Sequence, residues 1–239
     1  MHLSQRESPS TARQLQTIVQ LARDASIELN FQDLKDLDAS RALLSPGKRV
    51  YISHLPKQRW DETWMACRRV HAAGFDPIPH IPVRLIESEA ALDGILKQTV
   101  SAQVKELLLI SGDYPHPAGP YSTVADVLRA RKLHQYGLNR VSFAGHPEGH
   151  PTVPLEEIRR AELEKAAMSE LFGLETTFVT QFFFEAPPFI RWADELRTLG
   201  IGKARLIAGL SGPAGLATLL KFARRCGVGP SIRALMARP

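Results

Sequence analysis

With 239 residues, the chain can bury a sizeable core, as one large α/β domain or as two smaller ones. Its net charge of +5 is scattered through helical segments beside Glu and Asp, with no basic run interleaved with aromatics. That argues against a nucleic-acid partner and leaves steering of a small anion as one use for the excess. Cys67 and Cys226 stand far apart in predicted helices, so neither a disulfide framework nor a metal site is expected. No stretch is apolar enough to span a bilayer and no signal-peptide segment opens the chain, so a soluble cytoplasmic protein is expected.

Residues 1–9 are polar and read as a frayed tail. The spacing of Leu15, Ile18, Val19 and Ala22 predicts a helix over 11–25, followed by a strand at 26–31. A short helical piece at 40–44 ends at Pro46-Gly47. Strands are predicted at 49–55, 76–83, 106–110, 140–144, 176–185 and 204–210, the second of these weakened by three prolines. Helices are predicted at 57–73, 87–103, 123–136, 154–172, 188–199 and 214–226. Regular alternation of this kind means parallel strands with helices outside. No G-x-G-x-x-G follows any strand, which argues against a dinucleotide-binding sheet. The expected fold is therefore a single (β/α)8 TIM-type barrel, incomplete at its last unit because few residues follow Cys226.

In such a barrel the reactive groups gather at the carboxyl ends of the strands. Here those ends carry Glu28, Ser53 with His54, His80, Gly112 with Asp113, His146 to His150, Gln181, and Gly209 to Gly212. Thr180 and Gln181 interrupt an apolar run where a strand serving only the core would use Val or Ile. A buried carboxamide there needs a partner, within the protein or in a ligand. Glu28, in an apolar strand, is either an ion-pair partner or a desolvated carboxyl suited to general-acid work. Asp113 could equally cap a turn, and His80 could be a satisfied core residue. His146, Glu148 and His150 have metal-like spacing, but Pro147 and Pro151 beside them and the lack of a matching carboxylate or cysteine pair argue against a metal site.

The segments SIE at 26–28, PHIP at 79–82, Gly112-Asp113 after a strand, PEGHP at 147–151 and TQFFFE at 180–185 occur in an order that resembles the methylenetetrahydrofolate reductase family. The resemblance runs from about residue 26 to residue 227. It implies a flavin-containing barrel that passes a hydride from NAD(P)H through FAD to methylenetetrahydrofolate. By position, Glu28 resembles the general acid and Asp113 the carboxylate near flavin and pterin. Ser53, His80, Ser111, Gly112, His146 and His150 fall where the family contacts the flavin nucleotide. Thr123 and Val124 fall in the segment that wraps it, and Lys165 resembles a helical lysine that meets its pyrophosphate. Gln181, Thr218 and Phe222 are the implied substrate contacts. Two departures stand out: Ser111 replaces a common arginine and Thr218 a glutamine, which weakens the expectation of tight FAD retention. The alternative is a folate- or flavin-binding protein without reductase activity. A homo-oligomer is left open.

Overall fold

The apolar runs and amphipathic segments form seven strands and seven α-helices among the residues described by the computed structural model, which are 9–212, 215 and 217–219. In chain order they are α1 (Pro9–Asp24), β1 (Ile27–Leu29), α2 (Leu37–Arg41), β2 (Arg49–Ile52), α3 (Trp60–Ala72), β3 (Asp76–Pro82) and α4 (Glu89–Ser101). Then follow β4 (Glu106–Ile110), α5 (Val124–Arg129), β5 (Arg140–Gly145), α6 (Leu155–Leu171), β6 (Glu175–Phe182), α7 (Ala186–Thr198) and β7 (Arg205–Gly209). Every strand pair is parallel, and the strand order follows the chain from β1 to β7. Parallel strands in sequence order, joined by helices, are the (β/α)8 pattern through its seventh strand. Of the tail expected at 1–9, Pro9 instead opens α1 and the rest lies outside the described residues, as does most of the helix expected at 214–226. None of the described helices is long and apolar enough to cross a membrane.

The chain divides into two compact units, Met1–Pro79 with Ala102–Val104, and His80–Ser101 with Lys105–Pro239. In the first unit, β1 pairs with β2 and β2 with the first half of β3. Helix α3 buries Trp64, Cys67 and Val70, spaced three residues apart on one face. Its start is fixed by Glu62, whose carboxylate accepts from the Arg59 amide at 3.0 Å, and its end by Gly74 at φ +88°. Cys67 is enclosed, and burial pushes its thiol up to about 12 against the opposing charge of Arg68, so it is an inert packing residue.

The prolines of β3 do not prevent the strand, and the hydrogen-bond pattern explains why. Asp76 N–H donates to the Lys48 carbonyl on the β2 side at 2.9 Å. Amides alternate sides along a strand, so Pro77 and Pro79 turn their missing donors away from β2. The β4 register begins only at His80, past both of them.

In the second unit, β4 is buried over its first four residues, and the β5 and β6 ladders extend from it. The helix expected at 123–136 is shorter. Thr123 caps α5 through Asp126, α5 stops at Arg129, Arg131 takes φ +53°, and a 3-10 turn spans Leu133–Tyr136. Helix α6 buries Ile158, Glu162, Lys165 and Ser169, a stripe at helical spacing that carries ionic groups inward. At the end of β6 the register with β7 shifts between Val179 and Phe182. Gly209 fits there because an added Cβ would lie 2.5 Å from the Thr180 carbonyl oxygen.

Candidate functional site

In the first unit, Glu28 sits opposite Tyr51 across the β1–β2 ladder, and Ser53 lies just past the end of β2. The Ser53 hydroxyl donates to a Glu28 carboxylate oxygen. Glu28 is exposed. The expectation of a desolvated carboxyl is therefore corrected: the strand is three residues long, and its middle side chain stands on the accessible face. The neighbouring His54 is buried instead, with Nδ1 2.8 Å from Thr63 Oγ1 and its ring 4.4 Å from that of Trp60.

In the second unit, the ends of β4, β5 and β6 present the remaining polar residues. Asp113, His150 and Gln181 are exposed, while His80, Ser111, Gly112 and His146 are partly buried. Gly112 has φ +85°, and a Cβ there would meet the Tyr114 ring at 2.9 Å and Pro82 at 3.0 Å, so only glycine makes this turn. The His146 and His150 rings lie edge-on with centroids 6.0 Å apart. Shielding of part of the His150 ring pushes its pKa below the usual imidazole value. The charge of His146 acts in the same direction, and the Asp113 carboxylate opposes both. Among the described residues no cluster of three His, Cys, Asp or Glu is placed to hold a metal ion.

Gln181 differs from the buried carboxamide expected of it. It is exposed at the strand end, and its Oε1 accepts from the Phe182 amide at 3.1 Å. Thr180 is the buried member of the pair, and its hydroxyl accepts from the Gly209 amide at 2.9 Å across the bulge. Thr123 serves as the α5 cap, and the Val124 side chain is packed in the core. Thr218 is exposed, and Phe222 lies outside the described residues.

Lys165 departs furthest from its implied role. Its ammonium is turned into the layer between α6 and the strands, 3.4 Å from the Ala144 carbonyl oxygen. It lies 5.5 Å and 5.7 Å from the ring centroids of Phe143 and Phe178. A group enclosed this way does not reach out to a pyrophosphate; the α6 periodicity that buries Ile158 and Glu162 buries it too. Burial pushes its pKa from 10.5 down to about 8, with Glu162 opposing. A lysine value lowered by folding means that the charged form is penalised in the native state. The penalty is present in full below about pH 8 and is relieved as pH rises toward the unfolded value. Lys165→Met is therefore expected to raise stability at pH 7 by about 1–3 kcal/mol. Urea unfolding at pH 7 and pH 9.5 checks this, and the gain should shrink at the higher pH.

Beneath the His146 loop is a buried ionic group that was not among the residues expected from the sequence. The fully buried Glu162 accepts from the His146 amide at 3.0 Å, Arg159 at 3.0 Å and Trp192 Nε1 at 3.1 Å. Arg159 also bonds Glu195 at 2.8 Å and the His146 carbonyl at 3.3 Å. The Trp192 indole lies against Gly145, where a Cβ would be 2.6 Å from the ring. Both peptide groups of His146 are thus held by α6. The i, i+3 and i+4 spacing of Ile158, Glu162, Lys165 and Ser169 was the available signal, hidden by the helix's high overall charge.

The model of the family described as methylenetetrahydrofolate reductase matches residues 58–232. That stretch contains Asp113, His150 and Gln181 but not Glu28 or Ser53. The chain is 24% identical over 163 residues to a 5,10-methylenetetrahydrofolate reductase of Pectobacterium carotovorum subsp. carotovorum, covering 65% of this chain and 50% of that protein. It therefore spans about half the length of this relative. Among solved structures, a glycoside hydrolase family 20 β-N-acetylglucosaminidase superposes at a TM-score of 0.40 with 11% identity, over 79% of this chain and 53% of that one. That superposition is too loose to bear on chemistry. With the family model covering well over half of its residues, the chain belongs to the methylenetetrahydrofolate reductase family.

Proposed function

We propose that the chain is a flavin-dependent oxidoreductase interconverting 5,10-methylenetetrahydrofolate and 5-methyltetrahydrofolate, with NAD(P)H as hydride source. The observation that carries this reading is the family match over 58–232, which takes in the exposed polar ends of β4, β5 and β6. FAD, when bound, relays the hydride from the nicotinamide to the folate methylene. His80, Gly112 and His150 are the residues proposed to hold it. The left-handed turn at Gly112 lets a flat ring approach the backbone, and the imidazoles suit ribose hydroxyls and phosphate oxygens. This donor set fits the nucleotide, though Ser111 and the enclosed Lys165 add no cation to it.

Gln181 can offer a donor and an acceptor side by side to a pterin edge, giving up only its bond to the Phe182 amide. The Asp113 carboxylate favours a cationic iminium electrostatically. Glu28 is proposed as the acid that protonates the folate so that its five-membered ring opens, with Ser53 setting the rotamer of the carboxyl. A cytoplasmic location and a homo-oligomeric state are compatible with this assignment.

The test is a titration of the full chain with FAD, followed anaerobically by NADH and then by methylenetetrahydrofolate. The flavin absorbance is expected to bleach with NADH and return with the folate. Uptake of FAD without either change would sink the reductase reading. Ser111 motivates the second reading, a folate- or flavin-binding protein without reductase activity. Binding of 5-methyltetrahydrofolate with no flavin reduction would favour it.

A further inference from the structure

Between β4 and α5 runs a loop, residues 111–123, that carries Asp113 and contains no regular structure. One residue from the turn after β3, Arg84, engages it repeatedly. The Arg84 amide donates to the Ser111 carbonyl at 3.4 Å, and its carbonyl accepts from the Ala118 amide at 2.8 Å. Its guanidinium donates through Nε to the Ser122 carbonyl at 3.0 Å and through a terminal nitrogen to the Tyr114 carbonyl at 2.9 Å. Among the described residues, no carboxylate forms an ion pair with Arg84, so the cation's bonding is directed to backbone. A guanidinium is a planar, rigid fork of donors. Two carbonyls far apart along the loop are thereby tied to one inflexible group.

The packing agrees with this arrangement. Gly119 lies flush on the segment that follows Arg84, since a Cβ there would sit 2.3 Å from the Glu87 carbonyl oxygen. At the other end, Gly112 is wedged between Tyr114 and Pro82. The loop is thus held at its start, middle and end by residues 82–87, and Asp113 is the exposed carboxylate it presents.

We propose that Arg84 is a positioning residue for the ligand-facing loop, fixing Asp113 through the backbone of residues 111–122. The proposal deepens the flavin reading and rests on it for the identity of the ligand. The variants are Arg84→Lys, which keeps the charge but cannot span both carbonyls, and Arg84→Gln. Both are expected to lose hydrogen-exchange protection in peptides covering 111–122 and to bind FAD at least about tenfold more weakly, as expected when ligand-positioning contacts are lost. In combination with Asp113→Asn, the loss in affinity is expected not to exceed that of the worse single variant. If Arg84→Gln does not fold, the lysine variant carries the test. Unchanged loop protection overturns the proposal, as does wild-type behaviour of the lysine variant or fully additive losses with Asp113→Asn. If the unaltered chain takes up no FAD, the flavin reading fails, and loop protection alone then decides the role of Arg84.

Discussion

Glu28→Gln is expected to slow folate turnover by about 10²–10⁴-fold while FAD uptake and its bleaching by NADH persist. The carboxamide has the shape of the carboxyl and can still accept the Ser53 hydroxyl through its oxygen, so the orientation of the side chain survives. What it cannot do is hand over a proton. The two half-reactions separate the outcomes: reduction of the flavin proceeds, and its reoxidation by methylenetetrahydrofolate stalls. Turnover equal to the unaltered chain would remove Glu28 from the chemistry. Loss of both half-reactions together would mark it as a binding residue instead. Ser53→Ala, measured alongside, should give a smaller loss, because it removes the orientation and leaves the acid.

Glu162→Ala is expected to cost about 3–5 kcal/mol of stability, the range for stranding one partner of a buried ion pair. The variant takes from Arg159, itself buried, its fully buried carboxylate partner and leaves it the half-exposed Glu195, and it withdraws the acceptor used by Trp192 and the His146 amide. Glu162→Gln keeps an acceptor and a similar volume, and should lose less. Burial by itself would push the Glu162 carboxyl up. The hydrogen bond from His146, the charge of Arg159 and the bonds from Trp192 and the His146 amide outweigh it, and the net value falls below the usual 4.5. A lowered carboxylate contributes stability that is complete above its unfolded value and is lost as pH falls through its folded one. The unaltered chain should therefore lose stability as pH drops below about 4.5, and Glu162→Gln should flatten that acid limb. Urea midpoints from pH 7 to pH 3 measure both effects.

The strands were legible because their signals are local. The β4 sequence ELLLI is a continuous apolar run bounded by polar residues, and its observed limits match the expected ones. The break after Arg129 was not legible, because it depends on the left-handed turn at Arg131 and on a contact 4.6 Å from the Phe172 ring, far away in sequence. At the site, the sequence named the polar residues at the strand ends but misjudged their environments. Gln181 was misjudged because the strand read as buried on both faces, whereas alternation from Phe178 puts Thr180 inside and Gln181 outside. Lys165 was expected at a pyrophosphate on the strength of the resemblance alone, whereas its three- and four-residue spacing to Glu162 and Ser169 carries it inside. Arg84 went unnoticed because its partners are main-chain carbonyls, which leave no mark in side-chain chemistry.

The prolines of β3 bear on how the molecule comes apart. Because Pro77 and Pro79 have no donors to offer on the side away from β2, the β4 ladder starts only at His80, and the edge of β3 before it pairs with β2 alone. The boundary between the two compact units falls directly after the second of them. For a chain with two compact units, a single unfolding free energy is licensed only when probes placed in each unit report coincident transitions.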